Sequence, residues 1–564
     1  MNFRVIAFLV FSVTYLRVDA QTVGPKKYWV MFTDKNNTPF TLSQPLQFLS
    51  QKAIDRRQKQ NIQLKENDLP VNPDYVAQVA ATGAIVLNRS KWFNAVSVQV
   101  EDSGIVAQIQ LLPFVSQVNQ VAKFKLKTKS DQLIEDLVKL YQQAQEKKGA
   151  KKQAASPGDD EFYGDADKQI KMLNGNKLHE MGLMGQGVTI AVLDGGFYLV
   201  NQFPLFDSLR SSGRLLGTRD FVAGGISVFE DATHGMSVLS TMAGFIPGLY
   251  VGTAPKASYW LLRTEDTGSE YQIEECNWIS GAEFADSVGA DLINSSLGYT
   301  VFNDTATSHT YSQLNGNTTR ITIGADLAAS KGILVVNSAG NSGADPWRYI
   351  GAPADGDSVL AIGAVTSEKN PASFSSFGPS ADGRIKPNVT AMGQQTALLL
   401  SSGDIARSNG TSFSSPVIAG MSACLMQAHP EATAMQVFKA IEQSADQYEN
   451  PDDSKGFGIP DYLEAHLILA RAASNKVVVD SIVNVYPNPF IEGLTLEFYS
   501  NTEQQIEIEI RKVSGKLLAS EKKSVYPLFN NVIQMDNVRR LSSGMYIVNV
   551  IVGGKMLTRK VVKN

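Results

Sequence analysis

The chain has 564 residues, 43% of them hydrophobic, and a formal net charge of −4. That length supports several packed cores, and a charge so small and mixed argues against nucleic-acid binding. Two cysteines, Cys276 and Cys424, exclude a disulfide-dense scaffold and any cysteine-rich metal site. Both read as small buried hydrophobes, with a bridge between them as the lesser alternative.

In chain order, residues 1–20 (MNFRVIAFLVFSVTYLRVDA) have a basic start at Arg4, an apolar run from Val5 to Leu16 and a small-residue end at Val18-Asp19-Ala20. This is the pattern of a secretory signal cut near Ala20, with an apolar run too short to span a bilayer comfortably. No later stretch is apolar enough to cross a membrane, so an exported soluble product is expected. In residues 21–122, "KYWVMFTD" predicts a strand and "FLSQKAIDRRQKQ" a helix. "AIVLNRSKWFNAVSVQV" predicts two strands around a turn, "DSGIVAQIQLLPFV" a second helix and "PFVSQVNQV" a last strand. The order βαββαβ describes a ferredoxin-like α+β unit from Lys27 to Val121. Residues 123–162 are polar and lysine-rich, with an amphipathic helix ("DQLIEDLVKLYQQAQEKK") followed by "GAKKQAASPGDDE". That is linker composition, where proteases cut.

Over residues 163–472 short, fully apolar strands ("VTIAVLD", "SYWLLRT", "ADLINSSL", "GILVVNSAG", "VLAIGAV") alternate with helical segments. Strands buried on both faces predict an α/β domain with a parallel sheet. Residues 478–564 alternate apolar and polar at period two ("LTLEFYS", "IEIEIRK", "MYIVNVIV", "LTRKVVK") between Gly and Asn turns, predicting a small antiparallel β-sandwich.

Four residues stand where chemistry collects. "AVLDGG" puts Asp194 at the C-terminal edge of a sheet strand, where a helix N-cap would be the plainer reading. Of five histidines, His234 opens a helix of small residues, "HGMSVLSTMAG". "VVNSAGNSG" leaves a buried strand and sets Asn341 among glycines, where a turn asparagine is the alternative. "NGTSFSSPVIAGMSACLMQAHP" turns from a glycine into a buried helix with Ser412 at its start, where unpaired N–H groups and the helix dipole favour an oxyanion. Pro416 is placed in the first turn, where its missing N–H costs little. Ser414 and Ser415 are read as packing and capping residues. A hydroxyl nucleophile needs a base, the base an orienting carboxylate, and the oxyanion its donors. Ser412, His234, Asp194 and Asn341 supply one of each. Their order Asp, His, Ser is not that of α/β-hydrolases, and no G-x-S-x-G elbow surrounds Ser412.

On "VTIAVLDGGF", "HGMSVLSTMAG", "DLINSSLG", "VVNSAGNSG", "SFSSFGPSADGRIKPNVTAMG" and "GTSFSSPVIAG", residues 163 to about 472 resemble the subtilisin-like serine proteases, the subtilases. The resemblance implies a three-layer α/β/α fold and peptide-bond hydrolysis through an acyl-enzyme. Ser412 would be the nucleophile, His234 the general acid/base and Asp194 its orienting carboxylate. Asn341 would donate to the oxyanion with the Ser412 N–H. Ser296, Leu297 and Gly298 would pair with bound peptide, with Gly268, Ser269 and Glu270 on the opposite edge. Ala339, Gly340 and Gly351 would line the pocket for the residue before the scissile bond. Asp-Gly-Gly and His-Gly-Met depart from the family's usual Asp-Thr/Ser-Gly and His-Gly-Thr without removing a proton-transfer atom. "AGFIPGLYVGTAP" lacks the polar loop that binds calcium in many relatives, so no metal or cofactor is assigned; the Asp304 and Asn315 loops leave calcium open.

The N-terminal unit resembles the inhibitory propeptide of subtilases, which implies a zymogen blocked by its own prodomain until the linker is cut. "VYPNPF", "VSGKLL", "LSSGMYIVNV" and "KVVKN" resemble the type-A sorting domain of the Bacteroidetes type IX secretion system. That resemblance implies export through the periplasm to the cell surface or medium, with the secretion machinery and polypeptide substrates as partners. The alternative reading is a catalytically silent subtilase fold used for surface binding.

Overall fold

The computed structural model describes residues 26–123, 156–159, 161–230, 232–473 and 479–564. The expected signal and the linker helix lie outside these residues. The N-terminal unit contains β1 (Lys26–Phe32), α1 (Gln51–Lys59), α2 (Pro73–Ala81), β2 (Ile85–Ser90), β3 (Ala95–Val100), α3 (Ser103–Gln110) and β4 (Val115–Lys123). Its antiparallel sheet has the order β2-β3-β1-β4, as a ferredoxin-like unit requires. The helix assignment needs one correction. The core of this unit is filled from Val76 and Val79 of α2, a helix absent from the sequence reading, and from Ile109 of α3. Helix α1 instead leaves the sheet and lies on the next domain, because its buried positions include Arg56 and Arg57, which need acidic partners.

The central domain is built on a seven-stranded parallel sheet. Its strands are β5 (Thr189–Asp194), β6 (Leu215–Asp220), β7 (Ser258–Arg263), β8 (Leu292–Ser295), β9 (Leu334–Ser338), β10 (Val359–Val365) and β11 (Val389–Met392). The sheet order is β11-β10-β9-β8-β5-β7-β6. Edge strands β6 and β11 were not expected: one is half exposed and the other only four residues long, so neither reads as an apolar run. Helices α4 (His234–Ala243), α5 (Ile273–Val288), α6 (Arg320–Ser330) and α7 (Thr411–Ala428) cover the sheet. After β7 the chain crosses through α5 to the far side of β5 and enters β8. The strand order therefore reverses between β5 and β8, and a crevice opens at their C-terminal ends, where α/β proteins bind ligands. Helix α7 is buried from Thr411 to Leu425.

The last domain packs a three-stranded sheet (Ser481–Tyr486, Leu494–Ser500, Phe529–Met535) against a four-stranded one (Leu517–Val525, Gln504–Lys512, Gly544–Val552, Lys555–Lys563) around one apolar core. Cys276 and Cys424 are both free and buried. No helix among the described residues is long and apolar enough to cross a membrane.

Candidate active site

Asp194 ends β5 with no exposed surface. Its carboxylate accepts the Gly195 N–H at 2.8 Å and faces His234 Nδ1 at 2.9 and 3.0 Å. His234 is the first residue of α4, and Gly235 lets this helix approach so closely. A Cβ at 235 would lie 2.8 Å from that of Asp194, so alanine there would push strand and helix apart. With Nδ1 committed to the carboxylate, the neutral imidazole carries its proton on Nδ1 and leaves Nε2, which has no protein partner among the described residues, as the basic atom. Burial disfavours the charged ring, but the charge and hydrogen bond of Asp194 outweigh it and lift the pKa above the ordinary 6.5, with Glu265 acting in the same direction.

Ser412 lies in the first turn of α7, with Phe413 set against the His234 ring at a centroid distance of 5.9 Å. Gly410 precedes the helix at φ 153°, ψ 145°, a backbone state open essentially to glycine alone. The Ser412 hydroxyl donates to Ser296 O at 3.3 Å. Pro416 corrects the sequence reading: it is the sixth residue of α7, in the second turn. There its missing N–H frees the Ser412 carbonyl, which accepts from Ser296 Oγ at 2.9 Å and so ties the helix start to the segment after β8.

Asn341 is oriented by its partners. Its Oδ1 accepts the Thr411 N–H at 2.8 Å and the Thr411 hydroxyl at 3.0 Å. A backbone N–H can only donate, so the amide oxygen faces Thr411 and Nδ2 points away. Neither Asn341 Nδ2 nor the Ser412 N–H has a protein acceptor among the described residues. Thr411 is thus a positioning residue that the sequence reading missed, although its place beside Ser412 was the available signal.

The remaining expected residues lie in loops after β7, β8 and β9. Ser296 and Leu297 are buried and Gly298 exposed directly after β8, with Leu297 O held by Asn337 Nδ2 at 3.0 Å. Gly268, Ser269 and Glu270 form a turn after β7, tied to the other segment where Glu270 N donates to Asn303 Oδ1 at 3.2 Å and Asn303 N to Glu270 O at 2.8 Å. Gly351 N donates to Ala339 O at 3.2 Å beside Gly340, and Tyr299 pairs with Ala352. The other histidines have structural partners: His179 bonds Thr253 O, His309 bonds Glu275, and His429 bonds His466. In the loops left open for calcium, Asp304 is paired with Lys123 at 3.1 Å and Asn315 closes its own turn.

Three family models match the chain: "Peptidase S8 propeptide domain, Bacteroidota" over residues 27–135, "Subtilase family" over 185–459 and "Secretion system C-terminal sorting domain" over 484–564. Subtilisin of Bacillus pumilus is 31% identical over 280 residues, which are 49% of this chain and 90% of that protein. The chain belongs to the subtilase family. Subtilisin NAT of Bacillus subtilis subsp. natto is 32% identical over 280 residues, covering 49% of this chain and 65% of that relative's length. A solved structure of MycP1 from the ESX-1 type VII secretion system aligns at 22% identity with a TM-score of 0.43, covering 54% of this chain and 87% of that one.

For this subtilase the His234 environment predicts a pH profile. If His234 is the catalytic base, a role an imidazole fills only when neutral, its raised pKa means that kcat/KM on a chromogenic peptide should fall as pH drops through a midpoint above 6.5. A midpoint clearly below 6.5 would mean that Asp194 does not govern the base.

Proposed function

We propose that this chain is a secreted serine endopeptidase made as a zymogen, with Ser412, His234 and Asp194 as its catalytic triad. One arrangement carries this reading: a carboxylate-held imidazole packed on Phe413 next to Ser412 at a helix start, with His234 Nε2, Asn341 Nδ2 and the Ser412 N–H all without protein partners among the described residues. His234 Nε2 takes the Ser412 hydroxyl proton as Oγ attacks the peptide carbonyl, and Asp194 stabilises the resulting imidazolium. The Ser412 N–H and Asn341 Nδ2 receive the oxyanion. His234 then gives its proton to the leaving amine, and water repeats the sequence on the acyl-enzyme. Ser296 to Gly298 and Gly268 to Glu270 would flank the substrate as neighbouring strands. The wall of Ala339, Gly340 and Gly351 would hold the side chain before the scissile bond.

The N-terminal unit, residues 21–122, would act as an intramolecular inhibitor released by cutting within 123–162. The signal at residues 1–20 would direct the chain to the periplasm, and residues 478–564 would engage the secretion machinery. A fluorophosphonate probe and casein test the activity: labelling and cleavage in the parent, both lost in Ser412→Ala, are expected. Labelling without casein cleavage would favour an esterase, and no labelling a silent binding fold. Replacing Asn341 with alanine is expected to lower kcat about a hundred- to a thousandfold, the range found for the corresponding amide in subtilisin. Its effect on KM should be small, because the lost donor serves the oxyanion rather than the bound substrate. Unchanged turnover would exclude Asn341 from the oxyanion site.

A further inference from the structure

The segment joining β7 to α5 reads "EDTGSEYQIEE" from Glu265 to Glu275, with five acids and no base. Two of the acids have clear partners. Glu275 bonds His309 Nε2 at 2.7 Å, and Asp266 closes its turn through the Gly268 N–H at 3.1 Å. Among the described residues Glu265, Glu270 and Glu274 form no salt bridge. Glu274 has no exposed surface; one oxygen accepts the Tyr271 N–H at 3.1 Å and the other, Oε1, is buried without a partner. Glu265 Oε2 is buried and unpartnered in the same way, as is the hydroxyl of Tyr299. Burial, followed by repulsion from neighbouring acids, pushes Glu265 up to about 8, Glu270 (beside Glu275) up to about 7 and Glu274 up to about 10. The three carboxyls sit in one field: Glu265 senses Glu270, Asp194 and His234, and Glu274 senses Glu265 and Glu270. They therefore border the active site and continue along the edge formed by Gly268 to Glu270.

Buried carboxyl groups without hydrogen-bond partners are costly, and a cation brought among them relieves that cost. The uncut chain already brings one there. Lys27 of β1 is buried, and its charge interacts with those of Asp266 and Glu274. From Lys123, the last residue of β4, the sequence Lys123-Phe124-Lys125-Leu126-Lys127-Thr128-Lys129 has a base at every second position.

We propose that the cleft selects a lysine or arginine side chain on the acyl side of the scissile bond, with Glu265, Glu270 and Glu274 as specificity-determining residues. The inference rests on the peptidase reading above and adds the substrate class. Mature enzyme from the full chain is offered peptides that differ only at the second, third or fourth residue before the cut, carrying lysine, norleucine or glutamate. Norleucine matches the lysine stem without its charge. At one or more of these positions lysine should exceed norleucine in kcat/KM by about tenfold or more, the scale of a charge-assisted hydrogen bond, with glutamate poorest. Glu274→Gln and Glu265→Gln should bring the lysine-to-norleucine ratio towards one. Parent enzyme that labels with fluorophosphonate and cleaves norleucine peptides as well as lysine peptides at all three positions overturns this inference alone. Absence of both labelling and cleavage overturns the peptidase reading with it. The parent comparison decides the matter even if a variant fails to fold.

Discussion

Replacing Ser412 with alanine is expected to lower kcat by about six orders of magnitude, the scale measured for loss of the nucleophile in subtilisin. The fold should survive. The lost hydroxyl makes one long bond, 3.3 Å to Ser296 O, while the supports of the helix start come from elsewhere. The Thr411 N–H still has Asn341 Oδ1, and the Ser412 carbonyl still accepts from Ser296 Oγ. Thermal unfolding should therefore move little, as for substitutions that create no cavity and strand no buried polar group. If the linker is cut by the enzyme itself, the variant should also accumulate with residues 21–162 attached, which an intact mass measurement reads directly. A variant that still cleaved casein at a tenth of the parent rate would remove Ser412 from the mechanism.

The second large effect is expected at the contact between the N-terminal unit and α5. Asp286 has no exposed surface and receives Arg56 at 2.5 Å, Arg57 at 2.8 Å and Lys91 at 2.8 Å, all from the N-terminal unit. One turn earlier on α5, Glu283 accepts Ser90 Oγ at 2.5 Å and the Lys91 and Trp92 N–H groups at 2.7 and 3.0 Å. Burial alone would raise the Asp286 pKa, but Lys91, Arg56 and Arg57 outweigh it and hold the carboxyl well below the ordinary range. A depressed pKa keeps its stabilising effect above the ordinary carboxylate value and loses it only as pH falls through the depressed one. The Asp286 ion pairs should therefore hold at every pH where carboxylates are normally ionised, while neighbouring Glu283, pushed by burial up to about 7, changes charge within that range.

Asp286→Ala leaves three buried cations without their shared carboxylate; Asp68 still pairs with Arg57 at 3.0 Å, and the charges of Asp291 and Glu283 still act on Arg56 and Lys91. Removing one partner of a buried pair costs about 3–5 kcal/mol. That predicts a loss of roughly a hundred- to several-thousandfold in the affinity of the cleaved N-terminal unit for its own peptidase. The inhibition constant of the released unit, measured against parent and variant enzyme, checks it. An unchanged constant would mean that inhibition does not depend on this charge cluster.

Much of this protein could be read locally. Five sheet strands of the peptidase domain are short apolar runs because both faces are covered, and the start of α7 carries its own turn chemistry in Gly410. The residues of the candidate site were legible because each sits at a strand end or helix start that its neighbours announce. Helix α2 was legible too, and was missed: Asn72 caps it and Pro73 opens it, a standard start signal.

Other features had no local signal. The sequence of α1, "QKAIDRRQK", looks like a solvated helix, yet Arg56 and Arg57 are buried against an aspartate 230 and 229 residues away. Pro416 reads as a helix-start residue, but its use comes from Ser296, 116 residues before Ser412, which takes up the carbonyl it frees. The direction of the Asn341 amide follows from a donor 70 residues away. The amino-acid order by itself determined which segments become strands and helices and which side chains can do chemistry, because backbone propensity, capping and apolar period act over a few residues. Only the tertiary structure decided which charges pair, which donors stay without partners among the described residues and which carboxyls lie buried, because those depend on partners brought together through space.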